Sequence, residues 1–265
     1  MALLEINGLG KTYGEGDGAT RAIGDVSFSL DEREFVCVVG PSGCGKTTLL
    51  KCMSGLLEPT DGQVLLRGER VAGPPESMAL VFQEYSRSLL PWMSVRGNVV
   101  MPLRHKKLDK AEATRLVEEA VDAVGLTEFI DRYPWQLSGG MQQRVAIARA
   151  LAYQPEILLM DEPFASVDAQ TRGDLEDLIL QVRDRYDMTI LFVTHDIDES
   201  VYLSDRIVVL SPSPTEVREI LDVSLPHPRD QVETKELQDF ARLRAHVYRL
   251  IKRRQEGAEE PVPAA

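Results

Sequence analysis

Hydrophobic and polar positions in the first part of the chain predict several strands around one helix. Residues 2–6 are rich in apolar side chains, and residues 26–30 alternate between apolar and polar ones, the period of a half-buried strand. Residues 35–39 form a continuous apolar run that ends at a glycine cluster, which predicts a strand buried on both faces. A helix is predicted at about residues 45–54, followed by a short strand at residues 63–66.

The middle of the chain has a pattern typical of helices. Apolar residues in the stretch 109–124 recur at intervals of three and four residues, as in an amphipathic helix. Asp109 and Glu112 resemble a capping box at its start, and Gly125 suits its end. Because residues 85–138 lack strong strand patterns, we predict that this segment is a helical insertion.

The second half of the chain alternates between helix and strand. Such alternation indicates an α/β fold with a mostly parallel sheet and helices on both faces. Helices are predicted at residues 141–153, 168–186 and 196–203, and the strands that follow them at residues 156–160, 188–193 and 205–210. Further predictions are an edge strand at residues 216–223, a helix at residues 237–250 and a disordered tail at residues 256–265.

Composition narrows the range of functions. Of the 265 residues 43% are apolar, which is enough to fill a core and excludes a wholly disordered chain. The net charge of −12 argues against nucleic-acid binding through overall charge. The three cysteines form no CxxC pair, which argues against a zinc site. Their odd number, without a recognisable secretory leader, favours a reducing, intracellular compartment. No signal peptide and no apolar run long enough to span a membrane is recognisable, so we expect any link to a membrane to come through a partner.

A phosphate-binding motif follows the predicted buried strand. Residues 40–47 match G-x-x-x-x-G-K-[ST] between a strand and a helix, the setting that this motif requires. Glycines let backbone N–H groups converge on phosphate oxygens, Lys46 suits the β- and γ-phosphates and Thr47 suits Mg²⁺. The alternative is a plain glycine-rich turn. The predicted nucleotide-binding residues of this stretch are Gly40, Pro41, Ser42, Gly43, Cys44, Gly45, Lys46, Thr47 and Thr48.

Two acids end a later apolar run, at Asp161 and Glu162. In a parallel sheet ligands collect beyond the carboxyl ends of the strands, so Asp161 suits a Mg²⁺ ligand and Glu162 suits a group that orients or deprotonates water. Alternatively, these are solvated acids of the kind that strand ends often carry.

A Ser-Gly-Gly stretch, made of Ser138, Gly139 and Gly140, opens a predicted helix. It suits a second anion-binding site, by the same reasoning as the phosphate loop. An ordinary helix cap with a glycine linker is the alternative.

Taken together and in this order, the motifs resemble those of the ATP-binding subunits of ABC transporters, over roughly residues 3–225. Residues 137–142 resemble the LSGGQ signature of that family, with Met141 in place of the usual Gln. Residues 40–48 resemble the Walker A loop, and residues 157–162 resemble Walker B with the catalytic glutamate. Tyr13 resembles the aromatic residue that stacks on adenine, and Gln83 resembles the Q-loop glutamine. Residues 165–168 resemble the D-loop, and His195 resembles the switch histidine.

Within the family, the chain looks like the nitrate, sulfonate and taurine importer group. The stretches that carry this likeness include residues 81–85, 89–92 and 225–230. Two departures concern the D-loop, which reads Ala-Ser-Val-Asp instead of Gly-Ala-Leu-Asp, and an altered segment at residues 86–88. Both departures concern the substrate subgroup, and neither affects the residues predicted for ATP hydrolysis.

The resemblance implies a P-loop NTPase core with an N-terminal antiparallel β part and a helical insertion. The implied parts are a discontinuous core at residues 1–84 and 139–225, a helical subdomain at residues 85–138, and a C-terminal helix and tail at residues 226–265.

The resemblance also implies an ATPase that works as a pair of identical chains, with each ATP between the Walker A loop of one copy and residues 138–140 of the other. Lys46, Gln83, Glu162 and His195 would be the catalytic residues, and Thr47, Gln83 and Asp161 would hold Mg²⁺. Implied partners are membrane permease subunits, on the inner face of the cell membrane, and a solute-binding protein, but no nucleic acid. The alternative function is the ATPase of an exporter or of a lipid-transport complex.

Overall fold

The computed structural model describes residues 2–84 and 88–252, and these fall into two compact units. Of the described residues, 2–73 and 193–252 belong to the first unit, and 74–84 and 88–192 belong to the second. Within the described ranges, no helix has the length and apolar character needed to cross a bilayer. The predicted tail at residues 256–265, and residues 86 and 87 of the altered segment, lie outside the described residues.

Ten strands and eight α-helices provide the framework of the described residues. The strands are β1 (Ala2–Tyr13), β2 (Thr20–Asp31), β3 (Phe35–Val39), β4 (Asp61–Leu66), β5 (Glu69–Arg70), β6 (Met78–Val81), β7 (Ile157–Asp161), β8 (Thr189–Thr194), β9 (Arg206–Leu210) and β10 (Thr215–Asp222). The helices are α1 (Lys46–Met53), α2 (Val95–Val100), α3 (Lys110–Ala123), α4 (Gly139–Ala152), α5 (Ala169–Tyr186), α6 (Ile197–Leu203), α7 (Glu233–Glu236) and α8 (Gln238–Lys252).

The first unit contains a mixed sheet with the strand order β5-β4-β1-β2-β10-β9-β3. The β1 strand pairs antiparallel with both β2 and β4, which confirms the predicted antiparallel N-terminal part. The β3 strand is buried along its whole length and runs parallel to β9, as its continuous apolar sequence predicts.

The prediction that residues 216–223 form an edge strand is wrong. The β10 strand pairs parallel with β2 and antiparallel with β9, so both of its backbone edges are used. Its residues are mostly half-buried or exposed. A strand with one solvated face has the same mixed sequence whether or not both its edges are paired, and this explains the error.

In the second unit β6 and β7 run parallel, with Val81 opposite Met160. The unit also holds the segment 88–138, which consists of helices, turns and loops, as predicted. Its α3 helix confirms the predicted amphipathic helix. Asp109 accepts a hydrogen bond from the Glu112 N–H at 2.8 Å, and Gly125 has a φ of +67° just after the helix end. The apolar stripe of α3 is buried and packs against α4.

Candidate nucleotide-binding site

The loop between β3 and α1 has backbone conformations that favour glycine. Gly43 and Gly45 have φ angles of +75° and +104°, a region in which a side chain is strained. Gly45 stands at the N-terminal cap of α1, and among the described residues no side chain caps that first turn. The amides at the start of α1 are thus arranged as in a phosphate-binding loop, with the partial positive charge of the helix N-terminus behind them.

Lys46 lies folded over this loop. Its side chain is buried, and its Nζ donates to the carbonyl oxygens of Gly40 at 3.0 Å and Pro41 at 3.2 Å. Both carbonyls belong to the loop itself, so the ammonium group is held where the loop backbone converges. Phosphate oxygens are stronger acceptors than amide carbonyls for an ammonium group, so a bound triphosphate would compete for these same donors.

Tyr13 lies beside the start of α1. Its hydroxyl oxygen is 3.3 Å from Oγ1 of Thr48, and 44% of the residue is exposed. The ring also has the Lys11 Nζ at 5.6 Å from its centroid. An aromatic face next to a phosphate-binding loop suits the stacking of a base. The structure therefore brings Tyr13 close to the phosphate loop, as expected if both bind the same nucleotide.

Thr215 is a site residue that the sequence did not indicate. It is fully buried on β10 and donates its hydroxyl to the carbonyl oxygen of Cys44 in the phosphate loop. A threonine at a strand start, far along the chain from the loop, carries no sequence signal. Only the strand order, which places β10 near β3 through β9, predicts such a contact.

His195 lies between β8 and α6 and is exposed. The turn around it is closed by Asp196, whose Oδ1 accepts from the N–H groups of Asp198 at 2.8 Å and Glu199 at 3.2 Å. This is an N-terminal cap of α6, and it holds the backbone next to the histidine.

The second unit carries the acidic residues at the carboxyl end of β7. Asp161 is buried and ends the strand, and Glu162 follows it with a φ of +42°. The left-handed backbone at Glu162 costs about 1 kcal/mol in a residue with a side chain. Pairing of Val81 with Met160 means that Gln83 and Glu162 each lie two residues beyond that pair, so both leave the sheet at the same edge.

The Ser-Gly-Gly stretch forms the start of α4. Ser138 is the N-terminal cap, and its Oγ accepts from the Met141 N–H at 3.3 Å. Gly140 is buried against Thr171 of α5. The predicted cap at Ser138 is therefore correct, but the predicted glycine linker is wrong, because Gly139 and Gly140 form the first turn of α4. Anion binding stays a prediction, since exposed Ser138 and Gly139 leave room for both roles.

Asp168, in the predicted D-loop, caps α5. Its carboxylate accepts from the backbone N–H of Thr171 at 3.0 Å and from the Thr171 hydroxyl at 2.7 Å. These hydrogen bonds lower the pKa of Asp168 below its ordinary value. Thr171 thus contacts both the signature stretch, through Gly140, and the D-loop.

The candidate residues divide between the two units. Tyr13, the loop at residues 40–48 and His195 belong to the first; Gln83, Ser138, Gly139, Gly140, Asp161 and Glu162 belong to the second. The proposed Mg²⁺ ligands are a hydroxyl, an amide and a carboxylate, all oxygen donors of the kind that Mg²⁺ prefers.

A model of the ABC transporter family matches residues 23–165. The chain belongs to the ABC transporter family. This confirms the family predicted from the motifs, and with it the predicted class of enzyme, an ATPase, and the P-loop NTPase fold.

Curated relatives of this ABC transporter chain include import ATP-binding proteins. It is 41% identical over 244 residues to an aliphatic sulfonates import ATP-binding protein of Bacillus thuringiensis subsp. konkukian, covering 89% of this chain and 95% of that one. It is also 41% identical over 254 residues to a nitrate import ATP-binding protein of Synechococcus elongatus, covering 95% of this chain and 92% of that one. The predicted resemblance to the nitrate and sulfonate group is confirmed.

A solved ABC cassette has the same fold. It is a dimeric ATP-binding cassette in a post-hydrolysis state bound to ADP and Pi, with a TM-score of 0.72 and 31% identity, covering 83% of this chain and 98% of that one. The match extends across most of both chains, so the fold assignment does not rest on the phosphate loop alone.

Proposed function

We propose that the chain is the ATP-hydrolysing subunit of a membrane importer for small oxyanions such as nitrate or organic sulfonates. The observation that carries this proposal is the phosphate loop, in which Lys46 is buried over its own backbone and the first turn of α1 lacks a side-chain cap. Import is supported by the relatives, which are sulfonate and nitrate import ATP-binding proteins.

The residues around ATP have separate tasks in this proposal. Lys46 and the loop amides bind the phosphates and stabilise charge that develops on the transferred phosphoryl group. Tyr13 stacks on the base. Glu162 orients the attacking water and accepts its proton, and His195 contacts the terminal phosphate. Thr47, Gln83 and Asp161 would hold Mg²⁺, which when bound neutralises charge on the phosphate oxygens.

We further propose that two copies bind ATP between them. Ser138, Gly139 and Gly140 of one copy would face the phosphate loop of the other, because a triphosphate carries more negative charge than one loop neutralises. ATP then stabilises the pair and hydrolysis releases it. The dimeric state of the solved ADP-bound cassette supports this arrangement.

A groove in the second unit suits a helix from a permease. It has a volume of about 340 Å³ and an apolar lining that includes Met101, Pro102, Ala146, Ala150 and Tyr153. Met101 is 39% exposed. Half-buried Arg149 also lines it and donates to the Ser88 carbonyl at 2.6 Å, which joins the groove to Ser88, five residues beyond Gln83 along the chain. Nucleotide at Gln83 would therefore be sensed by a permease helix bound close to Ser88, on the cytoplasmic face of the membrane.

Co-purification tests the permease partner. Met101→Glu places a charge in the groove, and we expect it to abolish recovery of the permease with the tagged chain while ATP hydrolysis by the isolated chain is unchanged. Ala111→Glu, on the exposed side of α3, is the matched control and retains the permease. Equal recovery with both variants would contradict the assignment of the groove.

Uptake tests the direction and the solute. The chain is reconstituted into vesicles with its co-purified permease and binding protein, and ATP is supplied on the side of the membrane that carries the chain. Labelled nitrate or taurine should accumulate on that same side. Transport in the opposite direction would favour the exporter or lipid-transport alternative. Lys46→Ala should abolish ATP hydrolysis. Unchanged hydrolysis by this variant would contradict the assignment of the phosphate loop as the nucleotide site.

A further inference from the structure

The turn that carries His195 is fixed on both sides of the histidine. On one side, Oγ1 of Thr194 accepts from the backbone N–H of Asp196 at 2.9 Å, which closes the turn across His195. On the other side, Asp196 caps α6 through two further backbone N–H groups. The histidine is exposed, but its backbone neighbours are not free to rotate.

A buried acid holds this turn from behind. Thr194 is 1% exposed and donates its hydroxyl to Oε2 of Glu199 at 2.6 Å, and Glu199 is 4% exposed. A hydrogen bond from a hydroxyl to a buried carboxylate is short and strong, because the acceptor is charged and the surroundings have a low dielectric. The same hydroxyl oxygen is the acceptor for the Asp196 N–H, so Glu199 fixes the orientation of the group that closes the turn.

The helix that bears Glu199 is itself anchored at its far end. Arg229, from the segment that follows β10, donates to the carbonyl oxygens of Val201 at 3.0 Å, Tyr202 and Ser204 at 2.8 Å. The α6 helix also packs against β3, the strand that leads into the phosphate loop, and against α8. Glu199 is therefore presented to Thr194 from a rigid support.

We propose that Thr194 and Glu199 are positioning residues, which hold His195 in the orientation needed for ATP hydrolysis. The proposal rests on the proposed function of His195 at the terminal phosphate. Neither side chain touches nucleotide; their effect is transmitted through the backbone on either side of the histidine. A misplacement of catalytic groups by about 1 Å lowers a rate by up to about 100-fold, so loss of this pair is expected to be visible in kcat.

The first experiment compares Thr194→Val with Thr194→Ser. Valine keeps the size and the β-branch but removes the hydroxyl, and we expect kcat for ATP to fall at least about tenfold with KM within about twofold of its original value. Serine keeps the hydroxyl and should retain most of kcat. Thr189→Val, a buried threonine at the other end of β8, is the matched control and should leave kcat unchanged. Equal kcat values for the serine and valine variants would overturn the proposal.

A double-mutant comparison shows whether the effect passes through His195. In a His195→Ala background, Thr194→Val should produce no further loss of kcat, because no histidine remains to be positioned. A full additional loss would overturn the proposal and assign Thr194 a general structural role. Unchanged hydrolysis by His195→Ala alone would instead overturn the proposed function of His195, on which the positioning depends.

Glu199→Gln provides a second route if Thr194→Val folds poorly. The amide oxygen of glutamine still accepts from the Thr194 hydroxyl, but without the negative charge, so kcat should fall less than in Thr194→Val and more than in Thr194→Ser. Arg244→Ala is the control. It removes an exposed ion pair between Arg244 of α8 and Asp198 of α6, the helix that carries Glu199, and it should leave kcat unchanged. A kcat for Glu199→Gln equal to that of the unmodified chain would count against the buried pair.

Discussion

A β-carbon added to Gly140 would overlap the Cγ2 methyl group of Thr171, so the first turns of α4 and α5 are in direct contact at this point. Thr171 also donates two hydrogen bonds to Asp168, the residue that caps α5. The contact therefore links the Ser-Gly-Gly stretch to the predicted D-loop within the second unit, and a side chain at position 140 would require Thr171 or one of the two helices to shift.

Gly140→Ala should lower ATP hydrolysis at least about tenfold, because the methyl group displaces either α4 or the cap of α5. Alanine favours a helix over glycine by about 1 kcal/mol, so helix propensity cannot explain a loss. Thr171→Ser removes the methyl group and keeps the hydroxyl, and the double variant Gly140→Ala, Thr171→Ser should regain much of the activity. Steady-state phosphate release measures both. A double variant as poor as Gly140→Ala would show that the overlap is not the cause.

Glu162→Gln should retain ATP binding and lower turnover by about 100-fold or more, because an amide cannot accept the proton of the attacking water. Binding is measured with a fluorescent ATP analogue and turnover by phosphate release. The variant should also form ATP-dependent dimers, detectable by size-exclusion chromatography.

Glu156→Gln is the matched control, since Glu156 is an exposed acid that directly precedes the first residue of β7, whereas Glu162 directly follows the last. It should hydrolyse ATP like the unmodified chain. Hydrolysis by Glu162→Gln at the unmodified rate would remove Glu162 from the proposed role.

Ser138→Arg should abolish hydrolysis and leave the nucleotide affinity of the single chain intact, because the proposed contact of Ser138 is with ATP held by the other copy. Loss of the helix cap alone costs about 1 kcal/mol and does not stop an enzyme. Ser94→Arg is the control: Ser94 caps α2 by the same hydrogen bond, to Gly97 at 3.2 Å, in the same unit. If Ser138→Arg weakened ATP binding by the single chain, Ser138 would belong to the nucleotide site of its own copy.

Burial raises the pKa of the Cys52 thiol to about 11, against an ordinary value of 9.0. A raised pKa means less thiolate at a given pH, by about 100-fold at pH 8, and thiolate is the reactive form. Alkylation of Cys52 by iodoacetamide, followed by mass spectrometry, should therefore be slow in the native chain at pH 8 and fast in urea. The native rate should continue to rise above pH 10. Equal rates in both conditions would show that Cys52 is accessible and normally acidic.

The elements whose own residues show a strong hydrophobic pattern were predictable from the sequence. The apolar run of β3 and the stripe of α3 each determine burial through their own residues. The short β6 strand was missed because its four residues, Met78–Val81, are too few to show a period. Yet β6 places Gln83 beside the end of β7, so the motif was recognised while the element that positions it was not.

The site was predictable to the extent that its residues are local in sequence. The phosphate loop and the two acids of β7 are contiguous motifs, and the chemistry of each motif can be inferred from its residues alone. Thr215 and Thr171 escaped notice because each acts on a segment far away in the chain, Cys44 in one case and Gly140 in the other. Such contacts depend on strand order and helix packing, which a single sequence does not specify.

Every recognised nucleotide motif ends before β10, but a chain shortened after Leu225 would lose Arg229. The carbonyl oxygens of Val201, Tyr202 and Ser204 would then lose the guanidinium that joins them. The α6 helix, which follows His195, would keep the cap at its N-terminus and lose the hydrogen bonds that hold its C-terminus. The proposed positioning of His195 thus predicts that a working chain extends past its last motif, because trimming the chain at that motif would remove Arg229 and its hydrogen bonds to the helix that carries Glu199.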